Sequence, residues 1–328
     1  MNISADVETF INNKMFFTSM KKEGMVWVLL MGIFIFVSIS FVSAVTNVTA
    51  CGTLGSAGEY YTLNQSINST GTCITIGANN ITLDCQGYTI NYSSEGLTNT
   101  YGIYVSSRAN VTVMNCNVFD VNRTSSGTNR HGIYFTLIFS PEPYFEKIWN
   151  NTVNVSDSKG IYISSGKNVN VSYNSVSSSS GEGIHINLVN QSIVSNNGAS
   201  SSSSFAFYIT NTLNSSFYYN NGTGSGNSGF ALSGSNNNTF FDNDAFSDLG
   251  RAFYLLNSDQ NNLTLNFANS TSNRAFYFVN ANNSYLHSNL GFAASYEAIA
   301  FLNCEDETLI NNTGTSNSKP CNWNLFWF

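Results

Sequence analysis

Apolar and polar residues alternate along this chain with a period of two, in short bursts that recur at a fixed interval. The segment Ala252-Phe253-Tyr254-Leu255 sets the pattern: a small opener, then a Tyr between two large apolar residues. Equivalent segments read Gly160-Ile161-Tyr162-Ile163, Gly183-Ile184-His185-Ile186, Ala206-Phe207-Tyr208-Ile209 and Ala275-Phe276-Tyr277-Phe278. Such alternation predicts a strand with one buried face. A second strand is predicted around the apolar residue eleven positions after each opener: Val171, Val194, Phe217, Phe240, Leu263, Leu286 and Leu309. A third, short and Ser-rich, surrounds a smaller residue sixteen positions after the opener: Val176, Ala199, Gly222, Ala245, Ala268, Gly291 and Gly314. Polar turns separate the three, and no segment carries a helical period.

The openers Gly160, Gly183, Ala206, Gly229, Ala252, Ala275 and Ala298 follow one another every 23 residues without an insertion. Fourteen residues after each stands an Asn: Asn174, Asn197, Asn220, Asn243, Asn266, Asn289 and Asn312. A fixed period of this length predicts a solenoid. With three strands per repeat, the predicted fold class is all-β, a right-handed parallel β-helix of about ten rungs whose 23-residue period fills the C-terminal two-thirds. Stacked amides hydrogen-bond from rung to rung, so the Asn column reads as a structural ladder. Eight residues after the openers lie Asn168, Gln191, Asn214, Asn237, Gln260, Asn283 and Asp306. Asn tolerates left-handed backbone geometry, which suits a tight corner.

Upstream the period continues with insertions. Gly132 and Gly102 open repeats 28 and 30 residues before the next opener, with the extra residues near 120–129 and 137–147. The second insertion holds two of the three prolines, Pro141 and Pro143, and is expected to project from the coil. Cys73-Ile74-Thr75-Ile76 and the stretch 80–85 read as the first rung. The domain reading is a targeting segment over 1–44, a cap over 45–72 and the β-helix over 73–328. Cys321 opens a last rung that stops seven residues later, which reads as an apolar plug or a truncated gene.

Residues 1–44 carry Lys21 and Lys22, an apolar run over 25–42 and Ser43-Ala44. This is the layout of a signal peptide cleaved after Ala44, with Met20 as an alternative start; uncleaved, the run is nearly long enough to anchor the chain in a membrane. Either way the remainder is expected outside the cytoplasm, secreted or at the cell surface. Export makes the six cysteines candidates for disulfides. They cluster at the two ends, and the favoured pairs are Cys304–Cys321, Cys51–Cys73 and Cys85–Cys116. Only 9% of residues are charged, and the formal net charge is −7. That argues against nucleic acid, which needs clustered Lys and Arg.

The repeats Gly-Ile-Tyr-(Ile/Val)…Asn-Val-x-Val…Asn, and the stretch from Ile74-Thr75-Ile76 through Leu83-Asp84-Cys85-Gln86-Gly87 to Ile90, resemble the NosD-like right-handed parallel β-helix repeat proteins. These form part of the pectin-lyase-like superfamily. The resemblance covers nearly all of residues 70–320 and implies the fold. For function it implies only a range: carbohydrate binding, sugar hydrolysis, copper maturation or surface architecture.

The superfamily's hydrolases carry an Asn-Thr-Asp, an Asp-Asp pair and a Gly-His-Gly. Here His131-Gly132 has Arg130 in front of it, and the other two motifs do not occur. No catalytic residue is therefore assigned. Asp242 and Asp244 lie two apart and are the candidates for a calcium ion; no other cofactor is expected. Copper would need soft ligands within mutual reach, whereas His131, His185 and His287 fall in three different columns.

One surface carries a binding expectation. The third position of the first strand should point outward, and it reads Tyr104, Tyr134, Tyr162, His185, Tyr208, Ala231, Tyr254, Tyr277, Ala300 and Trp323. At the preceding corner stand His131, Lys159, Glu182, Phe205, Ser228, Arg251, Arg274 and Glu297. With the small openers as a floor, the two columns would line a shallow groove. Tyr162, Tyr208, Tyr254 and Tyr277 would stack on sugar faces, while Glu182, Arg251, Arg274 and Glu297 would bond hydroxyls. The competing reading is that tyrosines pack well between in-register strands. The expected function is a non-catalytic, exported β-helix in surface architecture, adhesion or glycan binding, with a polysaccharide lyase or glycoside hydrolase as the alternative. Sequons are abundant, and those near the insertions, Asn122 and Asn150, are candidates for glycosylation.

Overall fold

The computed structural model describes residues 45–122, 128–136 and 146–317. Both insertion tips and Cys321 lie outside the described residues, as do the targeting segment and Trp323. The chain winds into a parallel β-solenoid of about eleven turns with three long sheets of 12, 11 and 11 strands. No helix occurs among the described residues. One turn consists of the strands Phe253–Leu256, Asn262–Thr264 and Phe267–Ser270. Each strand pairs in parallel with its equivalents one turn below and one above. Phe253 lies opposite Phe230 and Phe276, Leu263 opposite Phe240 and Leu286, and Ala268 opposite Ala245 and Gly291. Residues 23 apart therefore stack vertically.

The stretch 45–72, expected as a cap, itself supplies strands in register with the coil. Val45–Val48 pairs with Tyr60–Leu63, Gly52–Leu54 with Ile74–Ile76, and Ile67–Asn68 with Thr89–Tyr92. The pairing offset differs from one of these strands to the next, so no single period marks the stretch in the sequence. Cys51–Cys73 and Cys85–Cys116 are disulfide-bonded and tie neighbouring turns at this end. Of the third expected pair, Cys304 is a half-buried thiol in the last described turn, and Cys321 lies outside the described residues.

Apolar columns fill the coil. Phe207, Phe230, Phe253 and Phe276 stack with ring centroids 4.4, 4.8 and 5.5 Å apart, and Phe217 stacks on Phe240 at 4.6 Å. Volume is traded across the interior between the first and third sheets. A Cβ on Gly160 would come within 2.2 Å of Val176 Cγ1. One on Gly222 would come within 3.0 Å of the rings of both Phe207 and Phe230. The openers are thus inside the core, with Ala206, Ala252, Ala275 and Ala298 fully buried. They do not form the floor of a surface groove. The chain turns its corner just before the opener, so two consecutive residues, opener and apolar neighbour, both face inward.

The Asn column is an inward ladder. Asn266 Oδ1 accepts from Asn243 Nδ2 at 2.9 Å and from the Asn243 backbone N–H at 3.0 Å, while Asn243 Nδ2 also donates to the Phe217 carbonyl at 2.9 Å. The same bonds run from Asn174 to Asn312. The ladder begins one turn earlier than the sequence column, at Asn151, whose Oδ1 accepts from the Cys116 N–H. There the Cys85–Cys116 disulfide takes over.

Further inward columns use the same device at other corners. Ser192, Ser215, Asn238 and Asn261 each accept the backbone N–H one turn below, at 2.9–3.1 Å. Glu146 Oε2 does so for Val111 at 2.8 Å, and burial pushes its carboxyl up to about 7. The corner residues Asn168, Gln191, Asn214, Asn237, Gln260, Asn283 and Asp306 all have φ between 51° and 60°, the left-handed geometry their residue types favour.

Asn243 is fully buried, and its side chain satisfies five polar groups around it. Asn243→Ala is expected to lower stability by roughly 2–4 kcal/mol. The outward Asn221→Ala should change it by under about 0.5 kcal/mol. Denaturant titration of the two variants checks the difference.

Candidate functional site

The exterior of the first sheet carries the aromatic column foreseen in the sequence. Residues flanking the inward positions of a strand must point out, and parallel in-register pairing sets them one above another. Tyr134 lies opposite Tyr162, Tyr162 opposite His185, His185 opposite Tyr208, and Tyr254 opposite Tyr277. The rings of Tyr134 and Tyr162 are parallel, 5.0 Å apart; Tyr162–His185 and His185–Tyr208 follow at 4.9 and 4.8 Å. Ala231 interrupts the column. Above it Tyr254 and Tyr277 stack at 5.8 Å.

The corner residues lean over these rings. Lys159 Nζ sits 5.1 Å from the Tyr162 ring centre. The Arg251 guanidinium lies 4.7 Å from Tyr254 and 5.2 Å from Tyr277, and that of Arg274 4.5 Å from Tyr277 and 5.2 Å from Tyr296. Glu182 pairs with Lys159 at 3.4 Å and Glu297 with Arg274 at 3.0 Å. All eight residues expected on this face are therefore placed on it: Tyr162, Tyr208, Tyr254, Tyr277, Glu182, Arg251, Arg274 and Glu297. The tyrosines are half-buried by their neighbours. Burial raises the hydroxyl pKa of Tyr162 and Tyr208, so both remain protonated donors at neutral pH.

The single-column reading missed the polar network beneath the rings. Thr210 donates to Asn187 Oδ1 at 2.8 Å, which leaves its oxygen to accept from His185 Nε2 at 3.2 Å. His185 Nδ1 is then a buried acceptor without a protein partner. His131 Nδ1 is hydrogen-bonded to Ser158 Oγ at 2.6 Å. Burial, reinforced by the nearby Lys159 charge, lowers both imidazoles to about 3. Thr210 and Asn187 occupy the next outward positions of their own strand. Extending the column reading by two residues would have found them.

His131 is 3% exposed, so the His-Gly pair is a sealed packing element. Its neighbour Arg130 is fully buried between the carboxylates of Asp120 and Asp157. The carbonyl of Arg130 accepts from the buried Tyr92 hydroxyl at 2.7 Å. The calcium candidates Asp242 and Asp244 are exposed on either side of inward Asn243. Burial and the Asp242 charge raise the Asp244 carboxyl. No three His, Cys, Asp or Glu side chains gather into a metal-holding group among the described residues. The sequon Asn150 donates to Asn115 Oδ1 at 2.8 Å and so belongs to a lateral ladder; Asn122 donates to the Ser94 carbonyl at 3.1 Å.

Residues 145–290 match the family model of the right handed beta helix region. The fold is a right-handed parallel β-helix. Solved structures agree on this at low sequence identity. A mutant of the periplasmic alginate epimerase AlgG superposes with a TM-score of 0.58 at 11% identity, covering 82% of this β-helix chain and 84% of its own. The Dettilon tailspike protein gp208 gives 0.55 at 13% identity, covering 83% of this chain and 56% of its own. No curated protein matches the chain in sequence.

The neutral histidines set a pH dependence. An unfolded imidazole takes up its proton near pH 6.5, whereas His131 and His185 in the β-helix do so only near 3. Between these values the unfolded chain binds more protons, so their contribution is full above pH 6.5 and is lost as pH falls toward 3. A His131→Asn/His185→Gln variant is therefore expected to gain stability relative to the parent as the pH is lowered through this window. Thermal melts at pH 7, 5 and 4 read the effect.

Proposed function

We propose that the protein is an exported β-helix that binds an extended glycan along the exterior of its first sheet. The observation that carries this reading is the outward ladder of tyrosine and histidine rings flanked by Lys159, Glu182, Arg251, Arg274 and Glu297. Because neighbouring rings cover one another's faces, the ladder presents ring edges and hydroxyls outward, and with the flanking side chains it offers apolar contact together with donors and acceptors for sugar hydroxyls, the combination that an orienting polar and aromatic site requires. Two disulfides near the N-terminal end fit an oxidising compartment outside the cytoplasm. The fold neighbours, one an alginate epimerase and one a phage tailspike by name, support a glycan-facing role only at the level of shared architecture.

A second reading, cleavage of the bound chain, draws on the placement of His185 between Tyr162 and Tyr208. Its lowered basicity favours binding over cleavage. An imidazole whose proton is lost near pH 3 is a poor general base at neutral pH, where catalytic groups titrate near the working pH.

Affinity electrophoresis against a panel of soluble polysaccharides tests the first reading. At least one member should retard the protein, and Tyr254→Ala/Tyr277→Ala should weaken that retardation about tenfold or more, at about 1–2 kcal/mol per lost stacking ring. Retardation unchanged in the double variant would remove the proposed face. Sustained release of reducing ends, with or without calcium, would favour the second reading.

A further inference from the structure

The corner column beside the rings neutralises its cations by a simple vertical rule. Lys159 is followed one turn on by Glu182, and Arg274 by Glu297, each pair within ion-pair distance. Arg251 breaks the rule. The residue one turn below it is Ser228 and the residue one turn above is Arg274, itself a cation. Among the described residues no carboxylate lies within ion-pair distance of Arg251, and its Nε is buried without a hydrogen-bond partner. The guanidinium is held in place by two rings, 4.7 Å from Tyr254 and 5.2 Å from Tyr277.

From this we infer that Arg251 is the charge-selecting residue of the face and that the glycan it takes carries an anionic group, a carboxylate or a sulfate ester. This rests on the glycan reading of the same surface. A guanidinium oriented by stacking, with its donors not already committed to a carboxylate, is preorganised for bidentate contact with a planar or tetrahedral oxyanion. Lys159 and Arg274 are each partly spent on a neighbouring Glu. On a chain with a formal net charge of −7, general electrostatics oppose a polyanion, so selection has to come from a local cation of this kind. Salt screening weakens the contact but leaves the ring stacking in place.

Matched polymers separate the two layers of the reading. The purified protein is titrated with polygalacturonate and with the same polymer after carboxyl reduction, then with dextran sulfate and with dextran. The expected result is binding about tenfold tighter for the acidic member of at least one pair. Arg251→Gln should remove that preference, so that the acidic and neutral members of the pair bind the variant equally, with the melting temperature unchanged, and Arg251→Lys should restore part of it. Which pair shows the preference tells carboxylate from sulfate. Equal binding within both pairs, or a preference that survives Arg251→Gln, overturns charge selection by Arg251 and leaves glycan binding standing. No binding of any of the four polymers overturns charge selection and counts against the glycan reading itself.

Discussion

Vertical identity is the constraint on which this structure rests. In a parallel, in-register coil each side chain has its own equivalent as nearest neighbour above and below, so a residue is tolerated only if it packs or bonds with itself. The buried Asn ladder is the clearest case. Each amide accepts from the backbone and amide of the turn below and donates to the turn above, which also satisfies the main chain at a corner where strand pairing stops. Ser and Glu meet the same demand at the second corner column.

The same constraint shapes the core and the charge content. Aromatic rings stack flat on their equivalents, and the opposing wall shrinks to Gly or Ala where they do. Like charges stacked one turn apart would repel, which fits a chain with only 9% charged residues. Where cations occur in a column, opposite charges follow them one turn on, as Glu182 follows Lys159 and Glu297 follows Arg274. Arg251 is the departure from that pattern, and it lies on the surface where rings and hydroxyl donors converge. Departures from a repeat are where function is most readily sought, because the repeat itself is explained by stacking.

The first-sheet exterior combines rigidity with accessible chemistry. Its rings are held by neighbours above and below, and its histidines are held neutral by burial and by a nearby lysine. A ligand meeting such a surface finds donors, acceptors and ring edges already ordered, so little conformational entropy is lost on binding. The chain as a whole is acidic, and this face is where three of its few cations gather.

Much of the architecture was legible because the repeat is strict. The 23-residue period, the three strands, the Asn ladder and the left-handed corners at Asn168 and its equivalents all follow from residue type at fixed spacing, whereas the pairs Cys51–Cys73 and Cys85–Cys116 were only favoured by the clustering of cysteines at one end and were decided by the fold. Other features were settled only by the folded coil. The openers point inward because the corner falls just before them, and period-two alternation cannot be read across a bend. The positions of Tyr173, Tyr219 and Leu265 have φ of 60°, 55° and 59°, a strained geometry that their residue types do not announce and that the adjoining Asn ladder enforces. Strand pairing from Val45 onward, the Thr210–Asn187–His185 network and the unneutralised Arg251 depend on which side chains meet across turns. A sequence states its own periodicity, because that is a property of order along the chain. Which way a residue faces at a corner, and which charge it meets there, depends on how successive turns are stacked in space.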